Sequence, residues 1–192
     1  MSRFPYLLLI NGAALSACAV FIDAERNLWL IGLMLFLPLL DKNLTLPKLL
    51  LSPSQLIRSG FVITTGLLLL IVNPDYVNAA MSTLIFAALP EEWFFRAYFM
   101  TRLEVFFRNN EPSRTSSNRF FAPASGLLPI MISSALFALL HAPTQGWFGL
   151  STFFPALLYG WIYQKTQDLL LVILLHTISN LIFFIYLVDF IR

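Results

Sequence analysis

The segment that decides the fold is LLLVILLHTISNLIFFIYLVDFI, residues 169–191. Its first twenty residues contain no Asp, Glu, Lys or Arg, and about 20 apolar residues are enough for a helix to cross a bilayer. Apolar and polar side chains do not alternate along it, as they do in the strands of a membrane barrel. The segment therefore predicts a transmembrane helix.

Similar apolar segments fill most of the chain, at residues 4–22, 28–40, 57–72, 77–107, 126–141 and 148–163. Overall, 58% of the residues are hydrophobic and 11% are charged, and the mean hydropathy is +0.78. Because backbone polar groups in lipid must pair within the chain, we predict an all-α bundle of about seven transmembrane spans, with six or eight also compatible. No internal repeat is present, so residues 1–192 are expected to form a single domain.

The polar segments between the spans predict the orientation. If the N-terminus is cytoplasmic, nine basic residues fall on the cytoplasmic side and only Arg26 and Arg192 fall on the other. Cytoplasmic loops carry an excess of basic residues, so this is the expected arrangement. The nine are Arg3, Lys42, Lys48, Arg58, Arg102, Arg108, Arg114, Arg119 and Lys165. Residues 108–125 are predicted to form a mobile loop and residues 142–146 a short one.

Several function classes are excluded or disfavoured by composition. Cys18 is the only cysteine, so an intramolecular disulfide and a Cys-rich metal cluster are both excluded. The net charge of +2 offers no basic surface for nucleic acid. Residues 15–18 resemble a lipoprotein cleavage site, but apolar residues continue to Ile22, which favours Cys18 as an ordinary residue of the first span.

Charged residues in the middle of the fourth span are the first functional signal. Glu91, Glu92 and Arg96 lie in PEEWFFR, residues 90–96, where each charge costs roughly 2.5–3.5 kcal/mol in lipid. Glu92 and Arg96 are four residues apart and can pair on one helical face. Glu91 lies about 100° further round the helix, so its carboxylate is left for proton transfer. Pro90 predicts a kink beside it. The alternatives are a structural ion cluster or an ion path.

Two histidines and an amide are the second signal. His141 ends one apolar segment, and His176 lies four residues before Asn180 within another, so that the imidazole and the amide share a helical face. A lone buried histidine usually makes a packing hydrogen bond, but polar groups on three spans can converge in a bundle. The predicted boundaries put His141 and His176 at different depths. One site therefore requires a boundary to move, for example a fifth span that starts before Gly126.

The ordered set Glu-Glu-x-x-x-Arg at 91–96, Phe-x-x-x-His at 137–141 and His-x-x-x-Asn at 176–180 resembles the CPBP family of CAAX proteases and bacteriocin-processing enzymes. The resemblance covers residues 81–184, which we take as the catalytic core. It implies a glutamic-type intramembrane endopeptidase with Glu91 as general base and His141 as its partner. It also implies that His176 and Asn180 stabilise an oxyanion and that Glu92 and Arg96 support the site.

The resemblance further implies a protein or peptide substrate in or beside the lipid bilayer, such as a C-terminal sorting signal, a CAAX-like sequence or a leader peptide. The compact chain resembles small bacterial members of the family, so we expect the inner (cell) membrane of a bacterium. We expect no nucleic-acid partner and no cofactor. Two alternatives stay open: a zinc metalloprotease that uses both histidines and Glu91, and a non-catalytic protein, either a bacteriocin immunity protein or a proton-coupled transporter.

Overall fold

The computed structural model describes residues 4–22, 25–47, 52–110 and 124–188. Within these ranges the chain forms seven helices and no strand. In chain order these are α1 Phe4–Phe21, α2 Arg26–Phe36 with a short 3-10 turn at Leu37–Leu40, α3 Pro53–Val72, the composite α4 defined below, α5 Ala124–Ser151, α6 Phe153–Thr166 and α7 Leu169–Ile182, which continues as the π-helical turn Phe183–Leu187. Each helix covers most of one predicted span, and α5 also includes the first residues of the next; the all-α prediction is confirmed.

Three of these helices are long and apolar enough to cross a membrane: Pro53–Val72, Gly126–Ser151 and Leu169–Leu187. Large apolar side chains on the outside of the bundle are strongly exposed, among them Phe61 at 75% and Phe154 at 71%. A soluble protein rarely exposes such a surface, whereas lipid covers it without cost. The protein is therefore an integral membrane protein.

Helix α4 is irregular around the two glutamates. It begins as Val77–Thr83, widens into π-helical turns at Leu84–Ala88 and Trp93–Met100 on either side of Leu89–Glu92, and ends as Thr101–Asn110. The N–H of Leu89 donates to the carbonyl of Leu84, five residues earlier. Pro90 has no N–H to continue the ordinary pattern, and π-helical turns occur often at functional sites. The sequence predicted a kink at Pro90, and the irregular turn lies directly before it.

The aromatic half of α4 forms the centre of the core. Phe94, Phe95 and Tyr98 are buried and pack against side chains from α1, α2 and α5, including Leu15, Met34 and Phe137. A hydrogen bond of 2.8 Å from the amide of Asn11 to the Tyr98 hydroxyl joins α1 to this centre. The core therefore holds the polar segment of α4 between neighbouring helices.

The two predicted loops, at 142–146 and 108–125, are shorter in the structure than the sequence predicted. In the loop predicted at 142–146, residues 142–145 are helical, but the chain kinks sharply at Gly146, where φ is 58° and ψ is −135°, a conformation that glycine adopts easily. Phe148, predicted to begin the next span, lies in the short helical segment after this kink. Of the predicted loop at 108–125, Arg108–Asn110 belong to α4 and α5 starts at Ala124. The rest of that loop lies outside the described residues.

The predicted difference in depth between the two histidines is also wrong. Gln164 donates hydrogen bonds to the Glu104 carboxylate at 2.9 Å and to the Gly126 carbonyl at 2.8 Å, which places α4 and α5 at one level there. Further along these helices Glu91 and His141 lie side by side, with Oε1 of Glu91 3.9 Å from Nε2 of His141. His176 on α7 lies at the same depth, because its Nε2 is 3.7 Å from Oε2 of Glu91.

Candidate active site

The predicted site residues come together in one cavity. Glu91 from α4, His141 from α5, and His176 and Asn180 from α7 all line a cavity of about 670 Å³. Ala87 and Thr83, four and eight residues before Glu91, also line it, and their small side chains leave the space open. Helices α4, α5 and α7 each carry few polar residues, and these residues face the same cavity.

Glu91 lies between the two imidazoles without a direct hydrogen bond to either. Its Oε1 is 3.9 Å from Nε2 of His141, and its Oε2 is 3.7 Å from Nε2 of His176. The Oε2 atom is buried and has no hydrogen-bond partner among the described residues. A carboxylate in this position can accept hydrogen bonds from a water molecule or from a substrate.

The other nitrogen of each ring fixes its tautomer. Nδ1 of His141 is 2.9 Å from the carbonyl oxygen of Phe137, which only accepts hydrogen bonds, so Nδ1 carries the hydrogen. Neutral His141 therefore presents a bare Nε2 to Glu91. Nδ1 of His176 is 2.9 Å from Oε1 of Glu92 and donates to that carboxylate. Such contacts orient an imidazole for the work of its second nitrogen.

Behind Glu91 and the histidines lies a fully buried ionic network. Glu92 and Arg96 are both 0% exposed, and Nε of Arg96 donates to Oε2 of Glu92 at 2.9 Å. Nη1 of Arg96 donates to the hydroxyl of Ser133 at 3.3 Å, and that hydroxyl donates to the Phe95 carbonyl at 3.0 Å. The sequence-predicted pair is thus present. It holds Glu92 where it can accept the hydrogen bond from His176.

Aromatic rings enclose the imidazoles. Phe137 contacts His141 with ring centroids 4.5 Å apart and meets His176 edge-on at 6.0 Å. Tyr159 stacks on His176 at 5.5 Å, and its hydroxyl donates to Ser179 at 2.6 Å. These contacts leave each ring little freedom to rotate away from Glu91.

Asn180 differs from the other site residues because its amide is uncommitted. It lines the cavity one helical turn after His176, and in the part of the chain that the structure describes its side chain has no hydrogen-bond partner. Its N–H donors are therefore available to a molecule in the cavity.

A comparison with known protein families finds a match. The family described as Type II CAAX prenyl endopeptidase Rce1-like matches residues 73–182, more than half of the chain. The chain belongs to this family. The predicted resemblance to CPBP intramembrane proteases is thereby confirmed, and the protein is an intramembrane endopeptidase. No curated protein and no solved structure matches the chain.

Three residues that surround the site were not predicted from the sequence. Ser133, which anchors Arg96, and Tyr159, which stacks on His176, were missed because a serine or a tyrosine in an apolar helix is too common to signal a site. Phe137 was noted only as the first letter of a motif, although it contacts both imidazoles. Its position one turn before His141 was the available signal.

Possible metal ligands were sought among the described residues alone. Within the described ranges, no group of three or more His, Cys, Asp or Glu side chains is arranged to hold a metal ion. The nearest approach to such a set is Glu91 with Nε2 of His141 and Nε2 of His176.

Proposed function

We propose that the protein hydrolyses a peptide bond by a glutamic-type mechanism, without a metal, in which Glu91 activates water. The observation that carries the proposal is the position of the Glu91 carboxylate between two Nε2 atoms at 3.9 and 3.7 Å, with one oxygen unpartnered among the described residues. A water bound there can donate one hydrogen to Glu91 and the other to bare Nε2 of His141. Its oxygen then has a lone pair free for attack.

Asn180 is placed to stabilise the negative charge that the attack of water creates. As the water oxygen bonds to the scissile carbonyl carbon, its proton passes to Glu91 and negative charge develops on the carbonyl oxygen. The free amide of Asn180 is a donor for that oxygen. The same proton can then pass to the departing amine nitrogen, which completes the hydrolysis.

His176 can join Asn180 as a donor only in its charged form. Its Nδ1 hydrogen is committed to Glu92, so a second hydrogen on Nε2 makes the ring an imidazolium. The site then holds two carboxylates, Glu91 and Glu92, and two cations, Arg96 and His176, so its formal charge is zero. A balanced set is the arrangement a low-dielectric interior tolerates best.

The substrate we propose is a membrane-associated protein or peptide, such as a C-terminal sorting signal, a CAAX-like sequence or a leader peptide. Two observations support it: membership of a family of prenyl endopeptidases and a cavity that opens among apolar residues of α2 and α7, including Ile31 and Phe184. We place the protein in a bacterial inner membrane because it resembles small bacterial members of the wider family.

The direct test uses purified protein in detergent with a fluorogenic peptide library. Glu91→Gln and His141→Ala are each expected to reduce cleavage by about a hundredfold or more, the usual contribution of a positioned acid or base. Glu104→Gln is the matched control, because Glu104 is a partly buried carboxylate of the same helix that lies outside the cavity. Cleavage by wild type no greater than that by the two site variants would refute the proposal.

Zinc chemistry is distinguished by a separate measurement. We expect elemental analysis to find no stoichiometric zinc and EDTA to leave the rate unchanged. Both histidines and Glu91 are chemically suitable zinc ligands. One zinc per chain together with loss of activity on chelation would therefore replace the glutamic mechanism by a metal-dependent one.

A further inference from the structure

Ser179 is a further polar residue through which α7 lines the cavity. It lies three residues after His176 and directly before Asn180. Its side chain is exposed although it lies within the last membrane span, and the surface that it faces is that of the cavity. A hydroxyl in this position is open to a bound substrate.

The hydroxyl of Ser179 accepts one hydrogen bond and keeps its own hydrogen free. The hydroxyl of Tyr159 donates to Oγ of Ser179 at 2.6 Å. A serine or threonine hydroxyl in a helix often donates to the carbonyl four residues earlier, as Thr177 does to Ile173 at 2.8 Å. Ser179 donates to no residue within the described ranges. Because hydrogen bonds in a chain polarise one another, the bond from Tyr159 makes this hydroxyl a stronger donor.

Tyr159 holds the Ser179 hydroxyl from a neighbouring helix. The tyrosine ring stacks on His176 with centroids 5.5 Å apart, and the residue is 5% exposed. The ring therefore spans the turn of α7 from His176 to Ser179 while its hydroxyl reaches Oγ. A buried aromatic side chain thus fixes the direction in which the free hydrogen of Ser179 can point.

The three polar residues of α7 share one face of the helix. At 100° per residue, Ser179 lies about 60° to one side of His176 and Asn180 about 40° to the other, both roughly one turn further along. Nε2 of His176 is 3.7 Å from the Glu91 carboxylate, so the space between the two donors adjoins the group that activates water. A carbonyl oxygen in that space is within reach of both donors.

We propose that Ser179 is a catalytic residue, whose hydroxyl donates a hydrogen bond to the scissile carbonyl oxygen beside the amide of Asn180. This inference rests on the proposed peptidase function. As water adds to the carbonyl carbon, the electron pair of the C=O double bond moves to the oxygen, and both donors stabilise the negative charge. When the double bond reforms, the C–N bond breaks and the proton held by Glu91 passes to the nitrogen. Ser179 keeps its own proton throughout.

This role gives the site a second donor that needs no charge. His176 can donate from Nε2 only as an imidazolium, whereas the hydroxyl of Ser179 donates in either protonation state of the ring. Tyr159 is then a positioning residue, because it acts on the substrate only through Ser179.

The test compares single and double variants on one cleaved peptide in detergent. Ser179→Ala removes the donor. Tyr159→Phe removes only the hydroxyl that orients it and keeps the ring on His176, and a third protein carries both changes. The matched controls are Thr177→Ala on α7 and Tyr163→Phe on α6, neither of which lines the cavity.

Ser179→Ala is expected to lower kcat by about a hundredfold with little change in KM, as for other donors to an oxyanion. Tyr159→Phe should lower kcat by only a few-fold, since one hydrogen bond strengthens the next modestly. The double variant should match Ser179→Ala, because the tyrosine acts through the serine. Both controls should keep the rate of wild type.

A second substrate identifies the atom that Ser179 contacts. In a thioamide peptide, sulfur replaces the scissile carbonyl oxygen, and sulfur accepts hydrogen bonds weakly. Wild type should therefore cleave the oxygen peptide faster than the sulfur peptide. The ratio of the two rates should shrink in Ser179→Ala and stay unchanged in Thr177→Ala.

The contrary results are equally definite. A wild-type kcat in Ser179→Ala, a loss confined to KM, or an unchanged oxygen-to-sulfur ratio would overturn the Ser179 proposal and leave the peptidase function standing. Equal losses in Ser179→Ala and Tyr159→Phe would show that only the bond between the two side chains matters, and would also overturn it. A double variant much slower than Ser179→Ala would contradict the positioning role of Tyr159. Failure of wild type to cleave any peptide would instead refute the proposed function.

Discussion

Glu92 is the residue on which the rest of the site depends structurally. Its two oxygens accept hydrogen bonds from His176 and Arg96, and it is 0% exposed. Removing one member of a buried ion pair leaves the other charge uncompensated, at a cost of about 3–5 kcal/mol. We therefore expect Glu92→Ala to lower the free energy of unfolding by about that amount, measured by denaturation in detergent micelles.

A double variant separates stability from catalysis at this position. Glu92→Leu combined with Arg96→Met replaces the ion pair by apolar side chains, which in other proteins is often neutral or stabilising. We expect it to recover most of the lost stability and yet to be inactive, because His176 loses the carboxylate that orients it. A single Glu92→Ala protein as stable as wild type would contradict this account of the network.

Asn180 is expected to act mainly in the transition state. Its amide lines the cavity and has no hydrogen-bond partner within the described part of the chain. We expect it to bind the substrate oxygen once negative charge develops there. We expect Asn180→Ala to lower kcat by about a hundredfold and to change KM little. The control is Thr177→Ala on the same helix, whose hydroxyl donates to the carbonyl of Ile173 and to no other described residue. A change confined to KM would remove Asn180 from the proposed oxyanion site.

At the scale of the element, helix α5 depends on a close approach at its bend. After Gly146 the chain turns back so far that a Cβ built on Gly149 would lie 2.5 Å from the carbonyl oxygen of His141. Gly149→Ala must therefore displace the backbone of His141. A displacement of about 1 Å in a catalytic group can cost about a hundredfold in rate.

We accordingly expect Gly149→Ala to lose most activity while the helical circular dichroism signal is retained. Gly60→Ala on α3 is the control, because a Cβ there meets nothing within 4 Å. Wild-type activity in Gly149→Ala would mean that His141 is not held by this approach, or that its position does not matter for the reaction.

The same helix shows what a sequence can and cannot predict. Long apolar runs predicted that the helices exist, because lipid leaves a helix as the simplest way to pair the backbone. Proline, glycine and polar neighbours predicted a break at 142–146, and the chain does kink at Gly146, but they did not predict that residues 142–145 are helical. Only tertiary packing at Gly149 reveals that this segment folds back onto the site.

For the site, the sequence located the residues whose presence in lipid is costly. Glu91, Glu92, Arg96, His141 and His176 are conspicuous because a charged or polar group in a span needs a reason. A serine or a tyrosine costs little free energy in a transmembrane helix, so Ser133 and Tyr159 give no such signal, although they contact Arg96 and His176. Distances between helices, such as those from Glu91 to the two imidazoles, are set by packing of the whole bundle and were beyond the sequence.

At the scale of the whole molecule, charge is distributed unevenly between the two ends of the bundle. The contacts of Asp41 with Arg102 and of Glu104 with Gln164 place the ends of α2 and α6 at the same end of the bundle. Lys42 and Lys165 lie at this end. Trp147 lies at the opposite end, beside the bend of α5, and is 87% exposed. The positive-inside bias then predicts that the end with Lys42 and Lys165 is cytoplasmic.

Cysteine labelling on intact cells tests this orientation. In a Cys18→Ala background, Trp147→Cys is expected to react with a membrane-impermeant thiol reagent, whereas Lys42→Cys and Lys165→Cys should react only after the cells are broken. Native Cys18 is 4% exposed and is removed only to exclude background. Arg26 lines the cavity and lies towards the Trp147 end of the bundle. Labelling of Trp147→Cys on intact cells would therefore also mean that the cavity opens towards the side away from the cytoplasm. The reverse pattern, with the two lysine positions labelled on intact cells, would invert the topology and direct the search for substrates to the cytoplasmic side.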